Sequence, residues 1–472
     1  MKQTLRLHFM QYIMKIAHAL ILISVSIAFT GIAANASSIL PDSLTYPEEI
    51  NLDKLIRNTH IFAPSSEVRQ FSDTTATPQP QNPVSHKDSL YKLIGRFYAD
   101  QFRNFQDPKA PYFMFMSKNA DLAMGIGGVV RLRGWYGWNG ALNANGFSPY
   151  LIPIPKDPAD KHELNGTPAG TALYFTLMAH RDNIGYFNAY VEGNFNGYQH
   201  TDFKLKKAYV TLNDLTIGYA SSTFCDPGAT APTIDGAGPN GKIDRSNLLV
   251  RYMHTLKDRW IVGASFEFPK SYIDAVEGYS EKCTDYIPDI AAMAQYQWDS
   301  GLSHIRVSGL LRVMTYRDLL EQKNKNVVGW GAMLSGRIKI FRPLSLYFSG
   351  AFGHGQGSYQ GDLNIGNYDL VPYLDNPSKL YAPKSVGLTF GARYFIRNNI
   401  YACLAYGYSR YFRKENVSDN EYKYGMYGAV NIFWDIAPRI QIGAEYLIGH
   451  RANFNGMHAG ADRVDALFQF SF

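Results

Sequence analysis

The last ten residues of the chain, RVDALFQFSF (463–472), alternate in polarity with a period of two. One row is entirely apolar and consists of Val464, Ala466, Phe468, Phe470 and Phe472. The opposite row is polar except for Leu467, so the pattern predicts a β-strand with one apolar and one polar face. A Phe-rich edge of this length promotes aggregation in a soluble protein, whereas a closed barrel pairs its last strand with its first. The segment therefore predicts a transmembrane β-barrel.

The same period-two pattern continues from Leu122 onward in about sixteen segments, of which residues 122–138 are the first. The predicted connections alternate between short turns, such as 213–214 and 342–343, and long loops, such as 356–384. An even strand number with long loops at one end only is typical of outer-membrane barrels. We therefore predict an all-β fold, a transmembrane antiparallel β-barrel of about 16 strands spanning residues 121–472.

The composition agrees with a barrel and argues against two other classes. Aromatic residues make up 14% of the chain, with 33 Tyr, and 41 Gly accompany them, which suits strands, tight turns and interfacial girdles. The net charge of +6 includes no basic block, so we expect no nucleic-acid binding. Beyond the N-terminus, no segment has about 18 uninterrupted apolar residues, which excludes a helical membrane protein.

The N-terminus predicts export from the cytoplasm. Lys2, Arg6 and Lys15 precede an apolar run, and Ala34-Asn35-Ala36 offers a cleavage site. We therefore expect residues 1–36 to form a cleaved signal peptide, the alternative being a retained membrane anchor.

Two further segments precede the predicted barrel. Residues 37–87 are rich in Pro, Thr, Ser and Gln, which predicts a partly disordered periplasmic tether. Residues 88–120 begin with apolar residues at helical spacing over 88–105. They predict a short N-terminal periplasmic helix and lead-in, and this helix either plugs the lower mouth of the barrel or only packs against it.

A sixteen-strand barrel leaves an aqueous lumen, so the inward row of each strand predicts its chemistry. Strand parity predicts that six basic residues line an anion-selective pore: Arg131, Arg133, Lys207, Arg251, Arg306 and Arg312. The predicted opposing lumen acids are Glu192, Glu267 and Glu445. An excess of guanidinium groups attracts anions and replaces part of their hydration shell. The alternative is that these charges form ordinary lumen pairs without selectivity.

The predicted loop 223–246 is Gly- and Pro-rich, and by analogy with general porins we expect it to fold into the channel. An outward loop is the competing interpretation. Its segment GAGPNGK (236–242) approaches a phosphate-binding loop, but Ile243 replaces the Ser or Thr that such a loop needs for Mg²⁺. We interpret the segment as a turn-rich loop.

The three cysteines and the catalytic motifs limit the chemistry further. Cys225 and Cys283 fall in predicted loops at the same barrel end, which allows a disulfide in an exported protein, and two free thiols are the alternative. The HExxH, GxSxG and CxxC motifs are absent from the sequence. We therefore predict no enzyme, no catalytic residues, no metal site and no cofactor.

Three segments resemble the DcaP-like outer-membrane porin family, in its Bacteroides-type variant: residues 97–140, with GGVVRLRGWYGWNG, residues 146–155, GFSPYLIPIP, and residues 430–472. The resemblance implies a trimeric, sixteen-stranded porin of a Gram-negative outer membrane that passes small, mostly anionic solutes. It also implies that Arg131 and Arg133 contribute to a basic constriction. The best-known members of that family carry an N-terminal coiled coil, where this chain has a Pro-rich tether.

We thus predict an outer-membrane porin, a passive diffusion channel for small hydrophilic solutes with a weak preference for anions such as carboxylates. Its expected partners are outer-membrane lipid and lipopolysaccharide, small anionic solutes, two further copies in a homotrimer, and the barrel-assembly machinery. The aromatic C-terminal strand ending in Phe472 resembles the signal that this machinery reads. The alternative is a non-conducting barrel that acts as a surface-binding or structural protein.

Overall fold

The described part of the chain comprises most of the predicted barrel. The structure is a computed structural model that describes residues 60–62, 113–117, 122–142, 144–159, 161–181, 185–196, 202–257, 259–299, 303–415 and 420–472. The predicted signal peptide (1–36) and helix (88–105) lie outside these residues, as does the tether (37–87) apart from 60–62. Within the described part, no helix is long and apolar enough to cross a bilayer.

Sixteen antiparallel strands among the described residues close into one barrel, which confirms the predicted fold. The first eight, β1 to β8, are Leu122–Trp138, Ala172–Arg181, Gly185–Phe195, Phe203–Leu212, Leu215–Ser221, Ser246–Leu256, Trp260–Glu267 and Asp289–Trp298. The other eight, β9 to β16, are Ser303–Asp318, Lys323–Phe341, Leu344–His354, Lys384–Arg397, Ile400–Phe412, Tyr422–Ala437, Ile440–Asn453 and His458–Ser471.

The barrel closes where β16 pairs with β1. The pairing runs from Asp462 opposite Trp138 to Ser471 opposite Val129. Two main-chain hydrogen bonds between Gly128 and Phe472 extend it (N···O 2.6 and 2.9 Å). Because the seam pairs the first strand with the last, neither is left as an exposed edge.

The two faces of β16 follow the alternation in its sequence. Val464 and Phe468 face outward and are 41% and 44% exposed, whereas Arg463 and Asp465 face inward and are 1% and 0% exposed. Apolar side chains thus form the outer surface and charged ones the inner wall, as a lipid-embedded barrel requires.

The connections differ in length between the two barrel ends, as predicted. Short turns, such as 213–214, 342–343 and 438–439, lie at one end. The long loops at the other end are L1 (139–171), L3 (222–245), L4 (268–288) and L6 (355–383). The alternation predicts strands at 304–316, 327–341 and 463–472, and all three extend further toward the loop end. Residues 317–326 form strand and a four-residue turn, because Asp318 and Lys323 still pair, and the last strand begins at His458.

Shorter elements lie in the loops and before the barrel. They are the strands His60–Phe62, Phe113–Met116, His162–Thr167, Ser280–Lys282, Val371–Pro372 and Leu380–Tyr381, the 3₁₀ helices Pro149–Leu151, Pro227–Ala229 and Gly357–Tyr359, and the α-helix Gly361–Ile365. Phe113–Met116 pairs with the part of β1 near the short turns, and His162–Thr167 pairs with the part near the long loops.

Candidate functional site

Loops L1, L3 and L6 form a second layer inside the barrel. Phe224 of L3 packs with Leu310 of β9 and Met333 of β10. Phe147 and Ile152 of L1 pack against the inner wall at β14 and β15. The loops therefore cover much of the inner wall, and the lumen is not a uniform water-filled cylinder.

The start of L3 is fixed to the wall by polar contacts. Glu267 of β7 accepts hydrogen bonds from the Ser222 hydroxyl and the Thr223 amide, each at 2.9 Å. The Ser308 hydroxyl donates to the Phe224 carbonyl at 2.9 Å. L3 thus folds inward, as the sequence analogy predicted.

The end of L3 lies against β12 and β13 at Gly241. A Cβ atom at this position would collide with the carbonyl oxygens of Leu388 and Tyr408. Only glycine allows so close an approach of two backbones. Gly241 therefore serves loop packing, and no metal-binding cluster of three or more His, Cys, Asp or Glu occurs among the described residues.

Three of the predicted pore arginines are covered by this inner layer. Arg251, Arg306 and Arg312 are 0%, 2% and 1% exposed. Arg306 donates to the carbonyl of Cys225 in L3 at 2.9 Å and pairs with Asp226 at 3.4 Å. They lie on the inner wall but do not border an open passage. Strand parity placed them inward without revealing that loops would bury them.

The predicted opposing acids also differ from expectation. Glu192, Glu267 and Glu445 are 1%, 0% and 2% exposed. Glu192 accepts hydrogen bonds from the Tyr190 hydroxyl and from Lys206, and the other two hold L3. Their partners are neighbours on the wall and loop amides, because a buried carboxylate needs donors within hydrogen-bonding distance.

Beside β1 and β16 a cavity of about 1450 Å³ remains, which we call the passage. It extends from the turn end, at Asn398 and Arg439, to L1 and L3, at Gly146 and Ala237. Its charged lining residues are Arg131, Arg133, Lys206 and Arg439, with Asp244 and Asp435 as the acids. Of the six predicted pore-lining residues, Arg131 and Arg133 are those that border it.

Arg133 belongs to an ion network at the passage wall. It lies 3.4 Å from Asp235 of L3 and 3.8 Å from Asp465 of β16. Arg463 pairs with Asp465 at 2.6 Å and with Asp235 at 3.7 Å. Two guanidinium groups and two carboxylates thus neutralise one another, and Arg131 lies beside them with its Nη2 on the Ile234 carbonyl at 2.8 Å.

A β-bulge in β4 brings Lys206 into the lumen. Glu192 pairs with Lys207 but Gly193 pairs with Leu205, so Lys206 is the extra residue. Its Nζ lies 3.1 Å from the Glu192 carboxylate, and its side chain is 44% exposed. Lys207 is half-buried and does not border the passage. Outward residues of a regular strand are two positions apart, whereas Leu205 and Ala208 are three apart. This spacing was the sequence signal of the bulge.

The cysteines are not bridged. Cys225, Cys283 and Cys403 are free thiols. Cys225 is buried in L3, where its thiol lies 3.7 Å from the Arg245 carbonyl, while Cys283 of L4 lies 3.8 Å from Asn324. L3 and L4 lie at the same end of the barrel, as predicted. However, L3 folds into the barrel, so Cys225 lies away from L4.

A model of the DcaP outer membrane protein family matches residues 128–472. The chain belongs to this family. Together with the closed barrel, membership identifies an outer-membrane channel of the porin type. This confirms the resemblance noted in the sequence, and both the family and the fold are those of channels rather than enzymes.

One solved structure in particular shows the same fold. The outer membrane channel DcaP of Acinetobacter baumannii superposes with a TM-score of 0.65 and 21% identity, covering 76% of this chain and 99% of that one. OmpT of Vibrio cholerae (TM-score 0.48, 9% identity, 75% and 98% covered) and an anion-selective porin from Comamonas acidovorans (0.47, 10%, 74% and 100%) are also similar. Among curated protein sequences, none matches this chain.

One buried carboxylate, Asp362 of L6, joins three parts of the inner layer. It accepts hydrogen bonds from the Ser148 hydroxyl of L1 (2.6 Å), the Asn240 amide of L3 (2.6 Å) and the Tyr422 hydroxyl of β14 (2.7 Å). Burial raises the pKa of this carboxyl, whereas its donors oppose the rise. Asp362 therefore stabilises the junction of L1, L3 and L6, the loops that cover the inner wall outside the passage.

We expect Asp362→Ala to loosen this junction. Removing the acceptor leaves Ser148, Asn240 and Tyr422 as buried donors without it, which lowers the free energy of local loop opening by about 2 kcal/mol or more. Cleavage of L1 and L6 by an added protease should accelerate accordingly. Asp375→Ala, at an exposed site in the same loop, is the control, and equal cleavage of both variants would contradict this role.

Proposed function

We propose that this protein is a passive diffusion channel for small hydrophilic solutes with a weak preference for anions such as carboxylates. The observation that carries the proposal is the lining of the passage, where four basic side chains accompany two acidic ones. Guanidinium and ammonium groups in a narrow, low-dielectric passage attract anions and replace part of their hydration shell.

The anion preference is weak because most of the basic residues are paired with carboxylates. Arg133 is neutralised largely by Asp235 and Asp465, and Lys206 by Glu192. The hydrogen bond from the Arg131 side chain to L3 ends on a neutral carbonyl group, so the positive charge of Arg131 is less compensated than that of Arg133. A solute carboxylate passing Arg131 meets a cation that still has donors to offer.

We further propose that three copies assemble into a homotrimer. The wall from β5 to β7 supports this assembly, since β5 has seven residues and β7 has eight. A strand needs about 9 to 11 tilted residues to cross the hydrocarbon layer. Their outward side chains nevertheless include exposed apolar ones, such as Ile217 and Phe266. A short, apolar wall is better covered by protein than by lipid.

Recording in a planar lipid bilayer tests the proposal. We expect steady ohmic conductance from the reconstituted protein, which closes in three equal steps if three passages insert together. In a tenfold gradient of potassium chloride, the reversal potential should have the sign of chloride preference. Adding a small dicarboxylate to one side should reduce the chloride current, because both anions use the same basic residues.

Two outcomes would overturn it. A protein that inserts but stays electrically silent would indicate a non-conducting barrel, the alternative considered from the sequence. A reversal potential of the opposite sign would retain the channel but reject the anion preference. A heat-denatured sample of the same preparation controls for contaminating channels.

A further inference from the structure

The tip of L3, residues 234–238, is held at its backbone amides by a wall carboxylate, while Arg131 and Arg133 bind the Ile234 carbonyl. Glu445 of β15 accepts hydrogen bonds from the backbone amides of Ile234 (2.9 Å) and Asp235 (2.6 Å). Asn431 of β14 supports it by donating to Glu445 at 2.7 Å and to the Pro232 carbonyl at 3.0 Å. Both carboxylate oxygens of Glu445 are therefore used as acceptors for the loop.

This anchor lies in one row of paired residues across the inner wall. Cys403 of β13 is opposite Asn431, which is opposite Glu445. Glu445 in turn is opposite Asp465 of β16, and Asp465 is opposite Trp135 of β1. The row connects the covered half of the lumen with the passage, so a change at Glu445 acts at the border between them.

The tip of L3 connects Glu445 with residues that border the passage. Asp235 accepts hydrogen bonds from the amides of Phe147 and Gly238, both at 2.9 Å, and pairs with Arg133 at 3.4 Å. The next residues, Gly236 and Ala237, border the passage. Seating the tip thus places loop backbone in the passage and fixes the partner of Arg133.

We infer that Glu445 is the positioning residue that seats the tip of L3 and thereby sets the width and the anion preference of the passage. The transport part of this inference rests on the proposed function. A carboxylate suits the role because it offers two acceptors to two adjacent amides. A glutamine at position 445 would offer one acceptor and one donor group. Its donor would face a backbone N–H, which is also a donor, so that hydrogen bond would be lost.

Cys403 provides a native reporter of the seated tip. Its thiol is 3% exposed and packs with Ile234 of the tip, together with Phe433 and Leu467. When the tip leaves the wall, Ile234 leaves with it and water reaches the thiol. The reactivity of Cys403 therefore reports loop seating, whether or not the barrel conducts. Because a nearby carboxylate also slows a thiol, and Glu445 lies in the same row as Cys403, a variant that keeps the Glu445 charge is tested as well.

The test compares the wild-type barrel with Glu445→Gln by reaction with a water-soluble maleimide and peptide mass spectrometry. We expect Cys403 to be modified about tenfold faster in the variant, because charge-assisted hydrogen bonds to the tip are lost. In bilayers, the variant should show a larger single-channel conductance and a smaller chloride preference.

Glu267→Gln is the matched control, since Glu267 is also a buried wall carboxylate but holds the start of L3 at Ser222 and Thr223. It should expose Cys225, which is buried in that part of the loop, and leave Cys403 protected. Cys283 of L4 should react at one rate in all samples and reports equal labelling conditions.

Unchanged Cys403 reactivity in Glu445→Gln would overturn the inference even if the channel proves anion-selective. Conversely, a silent wild-type barrel would reject the proposed function, while the labelling result would still decide whether Glu445 seats the loop. Asn431→Ala removes the supporting donor but keeps the Glu445 charge, and it should also accelerate the reaction of Cys403. Protected Cys403 in that variant would count against the inference.

Discussion

Replacing both Arg131 and Arg133 with alanine is expected to abolish the anion preference. The two side chains border the passage from adjacent inward positions of β1. Their removal leaves Asp244 and Asp435 less opposed, so the anion-to-cation permeability ratio should fall at least about twofold. The reversal potential in a potassium chloride gradient measures this ratio. Arg463 remains to neutralise Asp235 and Asp465, which favours retention of the fold.

Two single variants complete this test. Asp244→Asn removes an acid from the passage and should shift the reversal potential in the opposite direction. Arg317→Ala removes a positive charge from β9, outside the passage lining, and should leave the potential unchanged. An unaltered anion preference in the double variant would show that other groups carry the selectivity.

Arg312→Ala is expected to cause the largest loss of stability. The guanidinium group is fully buried and lies 3.3 Å from Asp289 and 3.0 Å from Asp369 of L6. It also donates to the Gly355 carbonyl of L6 at 2.9 Å. Removing one member of a buried ionic cluster costs about 3 to 5 kcal/mol, because the remaining carboxylates stay buried without their counter-charge.

The unfolding temperature of the barrel, followed by its heat-dependent gel mobility, reports this loss. Detachment of L6 should also widen the lumen and raise the single-channel conductance. Arg317→Ala, on the same strand but half-exposed, controls for the loss of an arginine. If both variants unfold at the same temperature, the buried cluster does not stabilise the inner layer.

The strands and their faces could be predicted from the sequence because both depend on local alternation. Val464 and Arg463 reach opposite sides of the wall simply because they are neighbours in a strand. The first strand was predicted with its observed bounds, Leu122–Trp138. The same parity argument placed Arg131 and Arg133 on the inner wall.

The burial of the other arginines could not be predicted in this way. Arg306 meets the Cys225 carbonyl only because L3 returns along the wall, a contact between residues 81 positions apart. Period-two reasoning gives the direction of a side chain but not what covers it. Lys206 was absent from the predicted lumen residues for a local reason, since one extra residue in β4 reverses the parity beyond it.

The ion network at the seam depends on the closure of the barrel in the correct register. Arg133 belongs to the first strand and Asp465 to the last, and they lie 3.8 Å apart only once these strands are joined. A slip of one residue between them would turn Asp465 toward the hydrocarbon, where a carboxylate is costly. A misaligned junction is therefore penalised twice, once by the loss of the ion pairs across the seam and once by a carboxylate in the hydrocarbon layer.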